Sequence, residues 1–509
     1  MALKFKKGLV LGVGAIALAT LAGCGGGASI AYNIDFTEDT KGTTIKFWTP
    51  FGGGIQEWID VICENFEAET GIHVETESKG GYAGLQKAIS LAASRKAYPH
   101  VALAYPDHMA TYVNQDIIVR LDYYLENDGD DNFTLNDFYK DYLTECQTVE
   151  YDAEGNGYTL GIPFNKSTEV MCYNKTFFDW ASKKDSTIVV PKTWDEIYTV
   201  APKIRAFMQP YFGKVVCKFV DEDHKEQLIA YDTISQIPEG TTVLFNMTKV
   251  TDETFFPFTY DSEANLFITS CRQWGGTYTE LDKATGKGYV AFDSAEVRNA
   301  LTELQEAYNN RYIAVSNTFG GTSKYNSAYF TNCQSVMTVG SSAGVKNSIA
   351  KDFEVGVSAL PYKSEDKKFV ISQGTDAVLL DVGSNAERVA AWKFIKYLTK
   401  EADGLFAANT SYFPSGEYAS KSEAYQQQVN ESKDSTDADK KIWYDTNLVN
   451  DSHYLNDSEG WTKFTDPAFV GSSSVRERMN TAMSELFIDH KTPDELISTL
   501  KDDLEDYVR

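Results

Sequence analysis

Residues 44–77 read TIKFWTPFGGGIQEWIDVICENFEAETGIHVETE and set out one complete strand–helix–strand unit. Thr44 to Trp48 is an apolar strand, and Gly52, Gly53 and Gly54 supply a turn. Ile55, Trp58, Ile59, Ile62, Cys63 and Phe66 then recur at helical spacing, and Gly71 stops that helix. A second strand is expected at Ile72 to Glu77. Two strands joined through a helix run parallel, so this unit predicts a sheet with helices against its faces. A helix over Leu85 to Ala97 and a strand at His100 to Ala104 continue the alternation and make an α/β lobe. After Pro163 the pattern restarts with a strand at Glu169 to Tyr173 and a helix opened by the capping box Thr193-Trp-Asp-Glu196. Asp293-Ser-Ala-Glu296 and Thr492-Pro-Asp-Glu495 carry the same cap logic, the latter with Pro493 at the favoured first helical position. Val215 to Phe258, rich in charges and turns, reads as an irregular elaboration on one lobe.

The chain has 509 residues, 42% hydrophobic and 24% charged, which suits a globular protein with more than one core and hence two lobes. Its formal net charge of −26 repels phosphate backbones and anionic head groups, so no nucleic-acid partner is expected. Lys4, Lys6 and Lys7 precede an apolar run, Leu9 to Leu21, that is too short to span a bilayer. That is an export signal over residues 1–23. It ends in Leu21-Ala22-Gly23-Cys24, which resembles the bacterial lipobox, where cleavage behind Gly23 leaves Cys24 lipidated. Residues 24–42, opening on three glycines, read as a flexible tether. Membrane contact is expected through this anchor only. The other six cysteines, Cys63, Cys146, Cys172, Cys217, Cys271 and Cys333, show no metal-ligand spacing, and their disulfide state stays open because six cysteines allow 15 pairings.

In this frame the chain resembles the family 1 extracellular solute-binding proteins, the maltodextrin and glycerol-3-phosphate type of ABC-importer receptor. Ile45-Lys-Phe-Trp48 followed by Asn65-Phe-Glu-Ala-Glu-Thr-Gly71 is similar to the family's first strand and helix. Gly161-Ile-Pro-Phe-Asn-Lys-Ser-Thr168 with Tyr173-Asn-Lys175 resembles its first lobe crossover. Pro191 to Glu196, Tyr260-Asp-Ser262, Gln273-Trp-Gly-Gly276, Met337 to Ser342, Ala391 to Phe394 and Thr410-Ser-Tyr-Phe-Pro414 follow in the family's order. The resemblance implies a type II periplasmic-binding-protein-like clamp of two α/β lobes. Residues 43–165 with 374–412 would form lobe 1, and 166–373 with 413–509 lobe 2. Three inter-lobe crossovers are expected near Phe164 to Thr168, Ser372 to Thr375 and Ser411 to Phe413. The implied protein is a monomeric receptor, lipid-anchored at the outer face of the cytoplasmic membrane. It captures a sugar or oligosaccharide between its lobes and delivers it to ABC permease subunits, without cofactor, metal or catalysis.

One departure bears on both ligand classes. Ser472, Ser473 and Ser474 stand before Val475-Arg476 where maltodextrin binders carry paired aromatics, which argues against a long maltodextrin, and the same serines argue against a glycerophosphate. A glycerol-3-phosphate or glycerophosphodiester receptor nevertheless stays the alternative.

A sugar offers hydroxyls and flat C–H faces, so its site needs charge-assisted hydrogen bonds and aromatic surfaces. Asp107, behind the strand ending at Ala104, matches a position where the family often has a ligand-binding acid, and Tyr82 and Tyr105 match positions where it offers tyrosine. Tyr412 sits in the third crossover, Ser167 in the first and Gly374 in the second, with Ser341 and Ser342 after the strand Val336 to Val339. Gln273 and Trp274 complete the expected ligand contacts, Trp274 as a stacking face.

The competing readings are a surface glycoside-acting enzyme and an adhesin on the same fold. The chain has no His-Glu-x-x-His and no P-loop. Asp128-Gly-Asp-Asp-Asn132 looks like a calcium loop, but Phe133 stands where that turn needs glycine and Tyr139 where it needs glutamate. Asp221-Glu-Asp-His224 reads as a charged surface turn.

Overall fold

The computed structural model describes residues 34–220, 226–321, 323 and 325–509. The export signal, Cys24 and the charged turn Asp221–His224 lie outside the described residues.

The opening unit forms as its pattern dictates. Strand Thr44–Thr49 leads through helix Gly53–Thr70 to strand His73–Ser78, and the two strands pair in parallel from Thr44 against His73 to Thr49 against Ser78. Ile59, Ile62, Cys63 and Phe66 are the buried face of the helix, each worth about 1.5–3 kcal/mol for a side chain of this size. Gly71 ends it at φ 72°, a left-handed conformation open to glycine, with its amide donating to the Glu67 carbonyl.

Two five-stranded sheets follow. In the first the order is His73–Ser78, Thr44–Thr49, Val101–Ala104, Asp376–Leu379, Ile162–Pro163. Val101–Ala104 and Asp376–Leu379 are buried at every position, as strands covered by helices on both faces must be. The second sheet runs Ile313–Val315, Phe258–Tyr260, Met337–Ser341, Glu169–Asn174, Val355–Ser358. In each sheet the strand that enters by a crossing runs antiparallel to its neighbours: Asp376–Leu379 in the first, Glu169–Asn174 in the second. Each sheet has its own core. Phe47, Leu103, Val378 and Phe394 belong to one, Met171, Phe258, Val339 and Leu486 to the other.

The chain crosses between the cores three times, and the crossings are sewn together by backbone hydrogen bonds. Ser167 and Gln373 exchange amide and carbonyl at 2.9 Å in both directions, and the Phe413 amide donates to the Lys166 carbonyl at 2.7 Å. The clamp architecture is therefore the one the sequence implies.

Four local expectations change. The Leu85–Ala97 helix starts earlier, at Tyr82, and gives way to a tight turn at Ala93–Arg95. The helix after Asp293 is capped by Ser294, whose Oγ accepts from the Val297 amide, while Asp293 pairs with Arg298 and Lys501 instead. The 215–258 elaboration is a three-stranded antiparallel sheet, Val215–Val220 between Glu226–Tyr231 and Thr242–Asn246. Its middle strand is buried over Val215, Val216 and Cys217 and exposed at Phe219 and Val220, which erased the apolar alternation that marks a strand. Residues 34–42, read as tether, lie on the first core: Phe36 meets Tyr124 edge-on at 5.4 Å, and the Asp35 amide donates to Asn385 Oδ1 at 3.0 Å.

The calcium-like loop holds an internal cation. Lys396 Nζ lies 2.8 Å from Asp128 and 2.6 Å from Asp130, so an ammonium occupies the carboxylate pair. Cys63, Cys146, Cys172, Cys217, Cys271 and Cys333 are all buried free thiols, which answers the disulfide question.

Candidate functional site: a two-chambered cleft at the crossings

Between the lobes lies a cleft of two chambers, about 360 and 840 Å³, within the range of small-molecule sites. Tyr82, Tyr105 and Gln373 face both, so they form the waist of one continuous space.

The smaller chamber is ringed by tyrosine. Tyr82 stands at the start of its helix and meets Tyr105 at 4.9 Å between ring centres, inclined at 60°. Its hydroxyl lies 3.1 Å from that of Tyr412, which the third crossing delivers. Burial pushes all three phenols above their usual range, so each keeps its proton. Ser167 and Ser341 bring hydroxyl groups to this chamber from the opposite side, at the end of the first crossing and of strand Met337–Ser341.

The larger chamber is walled by Asp107 on one lobe and by Tyr278, Thr279 and Arg476 on the other. Asp107 lies in the first turn of helix Pro106–Asn114, and its Oδ1 accepts from the His108 amide at 2.9 Å. Arg476 has no ion pair among the described residues. One of its Nη2 hydrogens goes to Asn265 Oδ1, and Asn265 Nδ2 in turn donates to Glu169 at 2.7 Å. Burial raises the Glu169 carboxyl to about 7 against the pull of the Tyr260 hydroxyl at 2.5 Å and of Asn265. At the rim, Gln86 Nε2 reaches Ser473 Oγ at 3.4 Å and ties the lobes across the opening.

Of the ten residues the sequence nominates, Tyr82, Tyr105, Asp107, Ser167, Ser341 and Tyr412 line the cleft. The other four do not. Gln273 is turned into the core, bonding Trp194 Nε1 at 2.7 Å and the Pro361 and Phe369 carbonyls. Trp274 packs on Trp194 at 5.7 Å beneath Lys363. Ser342 is fully buried and fastens the first crossing, its amide on the Thr168 carbonyl and its Oγ accepting from the Thr168 amide. Gly374 lies in the second crossing packed against the backbone of Asn165 and Lys166, outside the cleft lining.

The residues missed are Tyr278, Thr279, Gln373 and Arg476. A signal for the first two was close at hand in Gly275-Gly276. Gly275 at φ +93° ends the helix Glu263–Gln273, and a Cβ on Gly276 would fall 2.7 Å from Val297, so the chain leaves the helix in a tight turn just before Tyr278 and Thr279 reach the cleft wall.

Residues 62–431 match the family described as bacterial extracellular solute-binding protein. Among curated relatives, the sn-glycerol-3-phosphate-binding periplasmic protein UgpB of Salmonella typhimurium is 28% identical over 182 residues, 35% of this chain. Its counterpart in Yersinia pestis is 28% identical over 183 residues. The chain covers 39% of the length of these relatives. Among solved structures, UgpB from Mycobacterium tuberculosis in complex with glycerophosphocholine superposes with a TM-score of 0.65 at 14% identity, covering 91% of this chain and 97% of that one. The sugar-binding protein MalE of Xanthomonas citri gives 0.63 at 15%, covering 91% and 97%. An ABC substrate-binding protein of Listeria monocytogenes in complex with cycloalternan gives 0.63 at 14%, covering 91% and 98%. With nearly three quarters of its length matched by the family and its whole two-lobed fold shared with such receptors, this chain belongs to the bacterial extracellular solute-binding proteins.

Proposed function

We propose that the protein is a non-catalytic receptor that captures a sugar or oligosaccharide outside the cell and delivers it to an ABC permease. One observation carries this reading: tyrosine rings, hydroxyls and a carboxylate converge on a cleft between two lobes joined by three bonded crossings. Aromatic edges and faces suit sugar C–H surfaces, and Asp107 suits hydroxyl protons. In this reading the lobes divide at residues 165, 373 and 412, and Tyr82, Tyr105, Asp107, Ser167, Ser341 and Tyr412 touch the solute. A receptor that closes on its solute shifts an open–closed equilibrium by its preference for the closed form.

A thermal-shift screen against mono- and oligosaccharides and glycerophosphodiesters identifies the ligand, since a solute bound only by the native state raises the melting temperature. At saturation that ligand is expected to shrink the radius of gyration in small-angle scattering. An identical profile with and without ligand contradicts the clamp. Asp107→Ala is expected to weaken calorimetric affinity about ten- to a hundredfold by leaving sugar donors unpaired. Unchanged affinity with the fold intact removes Asp107 from the site.

A specific observation favours a second ligand class. Arg476 offers the larger chamber a guanidinium without a carboxylate partner, which suits the phosphate of a glycerophosphate. The same screen separates the two.

The lipid anchor is part of the proposal, with Cys24 holding a monomeric receptor at the outer face of the cytoplasmic membrane. Among the described residues no helix is long and apolar enough to cross a membrane. Metabolic labelling with a fatty-acid analogue is expected to mark the native chain and to be lost in Cys24→Ser. Labelling that persists in the serine variant sinks the anchor.

A further inference from the structure

We infer that Glu169 is a positioning residue for the cleft: acting through the Asn265 amide, its charge decides whether the Arg476 guanidinium is held back on its own lobe or freed into the larger chamber. This deepens the receptor reading above, and only its consequence for a solute rests on that reading.

The relay is a line of three side chains running outward from the second core. Glu169 opens strand Glu169–Asn174 and is 1% exposed, and Asn265, in the first turn of helix Glu263–Gln273, is 2% exposed. Arg476, on helix Ser472–Arg478, is half-buried at the chamber wall. An ionised carboxylate only accepts hydrogen bonds, and Glu169 accepts two, from the Tyr260 hydroxyl at 2.5 Å and from Asn265 Nδ2 at 2.7 Å. Asn265 must therefore turn its amino group toward Glu169 and its Oδ1 toward Arg476, whose Nη2 donates to it. Among the described residues that is the one hydrogen bond of the Arg476 side chain. The helix cap fixes the base of the relay: the Asn265 backbone amide donates to Ser262 Oγ at 3.2 Å, so the two ends of the side-chain amide change places only by a turn about its own bond.

Protonation reverses the order. A protonated Glu169 carries a hydroxyl that needs an acceptor, while the Tyr260 hydroxyl still donates to the other oxygen. The acceptor beside it is Asn265 Oδ1, once the amide has turned over. Asn265 Nδ2 then faces Arg476, donor against donor, and the bond that holds the guanidinium back is lost. A solute oxygen in the chamber meets an arginine whose donors are free.

The surroundings make Glu169 the group that changes charge. It has no ion pair among the described residues, and burial raises its carboxyl to about 7. Tyr260 and Asp261 face it from strand Phe258–Tyr260 and the turn behind it, Tyr454 from the helical turn Asn450–Tyr454, and Asn265 and Arg476 from their helices. Burial pushes both phenols above their usual range, so they keep their protons, and Asp261 accepts from the Asn326 amide at 2.6 Å. Lys166, three residues earlier in the chain, is committed to Glu145 and Asp376. Near Arg476, Asp466 is engaged by Arg272 at 2.9 Å, and Asp107 belongs to the other lobe.

Phenylglyoxal labelling of the whole chain without solute, read by peptide mass spectrometry, tests the relay. Labelling of Arg476 is taken relative to the exposed Arg95, which cancels the pH dependence of the reagent. In the native chain that ratio is expected to rise about threefold or more from pH 8 to pH 6, with its midpoint near 7, because a hydrogen bond to a charged group is given up. Glu169→Gln keeps the size of the side chain and removes the titration, so its ratio is expected to be flat across the range. Asn265→Ala removes the relay, and its ratio is expected to be flat and at least as high as that of the native chain at pH 6. Tyr260→Phe withdraws a bond that favours the ionised form and is expected to move the midpoint upward. A native ratio that does not change with pH overturns the relay, and that measurement needs no variant to fold. A slope that survives in Glu169→Gln also overturns it and makes Asp466 or His108 the sensor. Since no solute is present, failure here leaves the receptor reading standing, and the ligand screen can fail without touching this result.

Discussion

Replacing Lys166 by methionine is expected to destabilise the native fold by about 3–5 kcal/mol near pH 8, because it leaves buried carboxylates without their cation. Lys166 lies in the first crossing with no solvent exposure. Its ammonium stands 2.8 Å from Glu145 and 2.5 Å from Asp376, both buried, and above the Tyr142 ring. Two carboxylates therefore share one cation. Lys166 is held charged by both, while Asp376 is only partly compensated, and burial raises its carboxyl to about 6. Nearby Lys463 cannot take over: burial lowers it to about 8, and it is engaged with the Tyr142 hydroxyl at 2.9 Å and Asn450 at 3.3 Å.

The pH dependence follows from these directions. A carboxyl whose folded value exceeds its unfolded value of about 4 favours the native state below that unfolded value and loses the benefit as pH rises through the folded one. Removing Lys166 takes away the attraction that lowers Asp376, so the deficit of Lys166→Met is expected to be largest above pH 7 and to shrink toward pH 5. Urea unfolding midpoints at pH 5, 6, 7 and 8, compared with the native chain, measure it. A deficit that is flat with pH, or that grows in acid, contradicts the shared-cation account.

Gly374→Ala is expected to cost about 3 kcal/mol or more, from two sources that a control separates. At φ +96° an alanine is strained by about 1–3 kcal/mol, and its Cβ would lie 2.3 Å from the Asn165 carbonyl oxygen and 2.7 Å from Lys166 Cα. Those are backbone atoms of the neighbouring crossing, so no rotamer change relieves the overlap, which adds about 1–3 kcal/mol. Gly275 has nearly the same φ, +93°, but a Cβ there meets only the end of Lys367 at 3.7 Å. Gly275→Ala therefore carries the strain alone. The difference between the two unfolding free energies measures the close approach of the first and second crossings, and equal costs would show that the crossings do not constrain each other. Gly374→Ala is also expected to lower ligand affinity, because it moves the crossing that carries Gln373 to the cleft.

The elements that were legible in the sequence are those whose stability is local. The βαβ unit at residues 44–77 shows itself because its apolar side chains repeat with the period of one helix face and its glycines mark the ends. The Thr193 and Thr492 caps are legible because a hydroxyl and a carboxylate three residues apart satisfy each other's backbone amides wherever they occur. The 215–246 sheet was not, because its middle strand is buried at one end and exposed at the other and Glu226–Tyr231 has no buried residue, so no single period describes them.

In the cleft the division follows the same physics. The sequence by itself determined a two-lobed clamp and six of the residues that line its cleft, because motifs in fixed order place strand ends and crossings. Only the tertiary structure decided that Gln273 and Trp274 turn inward while Tyr278, Thr279 and Arg476 come to the cleft wall, and that Lys166 finds both of its carboxylates. Periodicity reports which side of an element is buried, but a core and a closed cleft both bury tyrosine, threonine and tryptophan. Which of the two a side chain enters depends on the direction of the chain after a left-handed glycine and on partners 21 to 210 residues away, as Lys166 lies from Glu145 and Asp376.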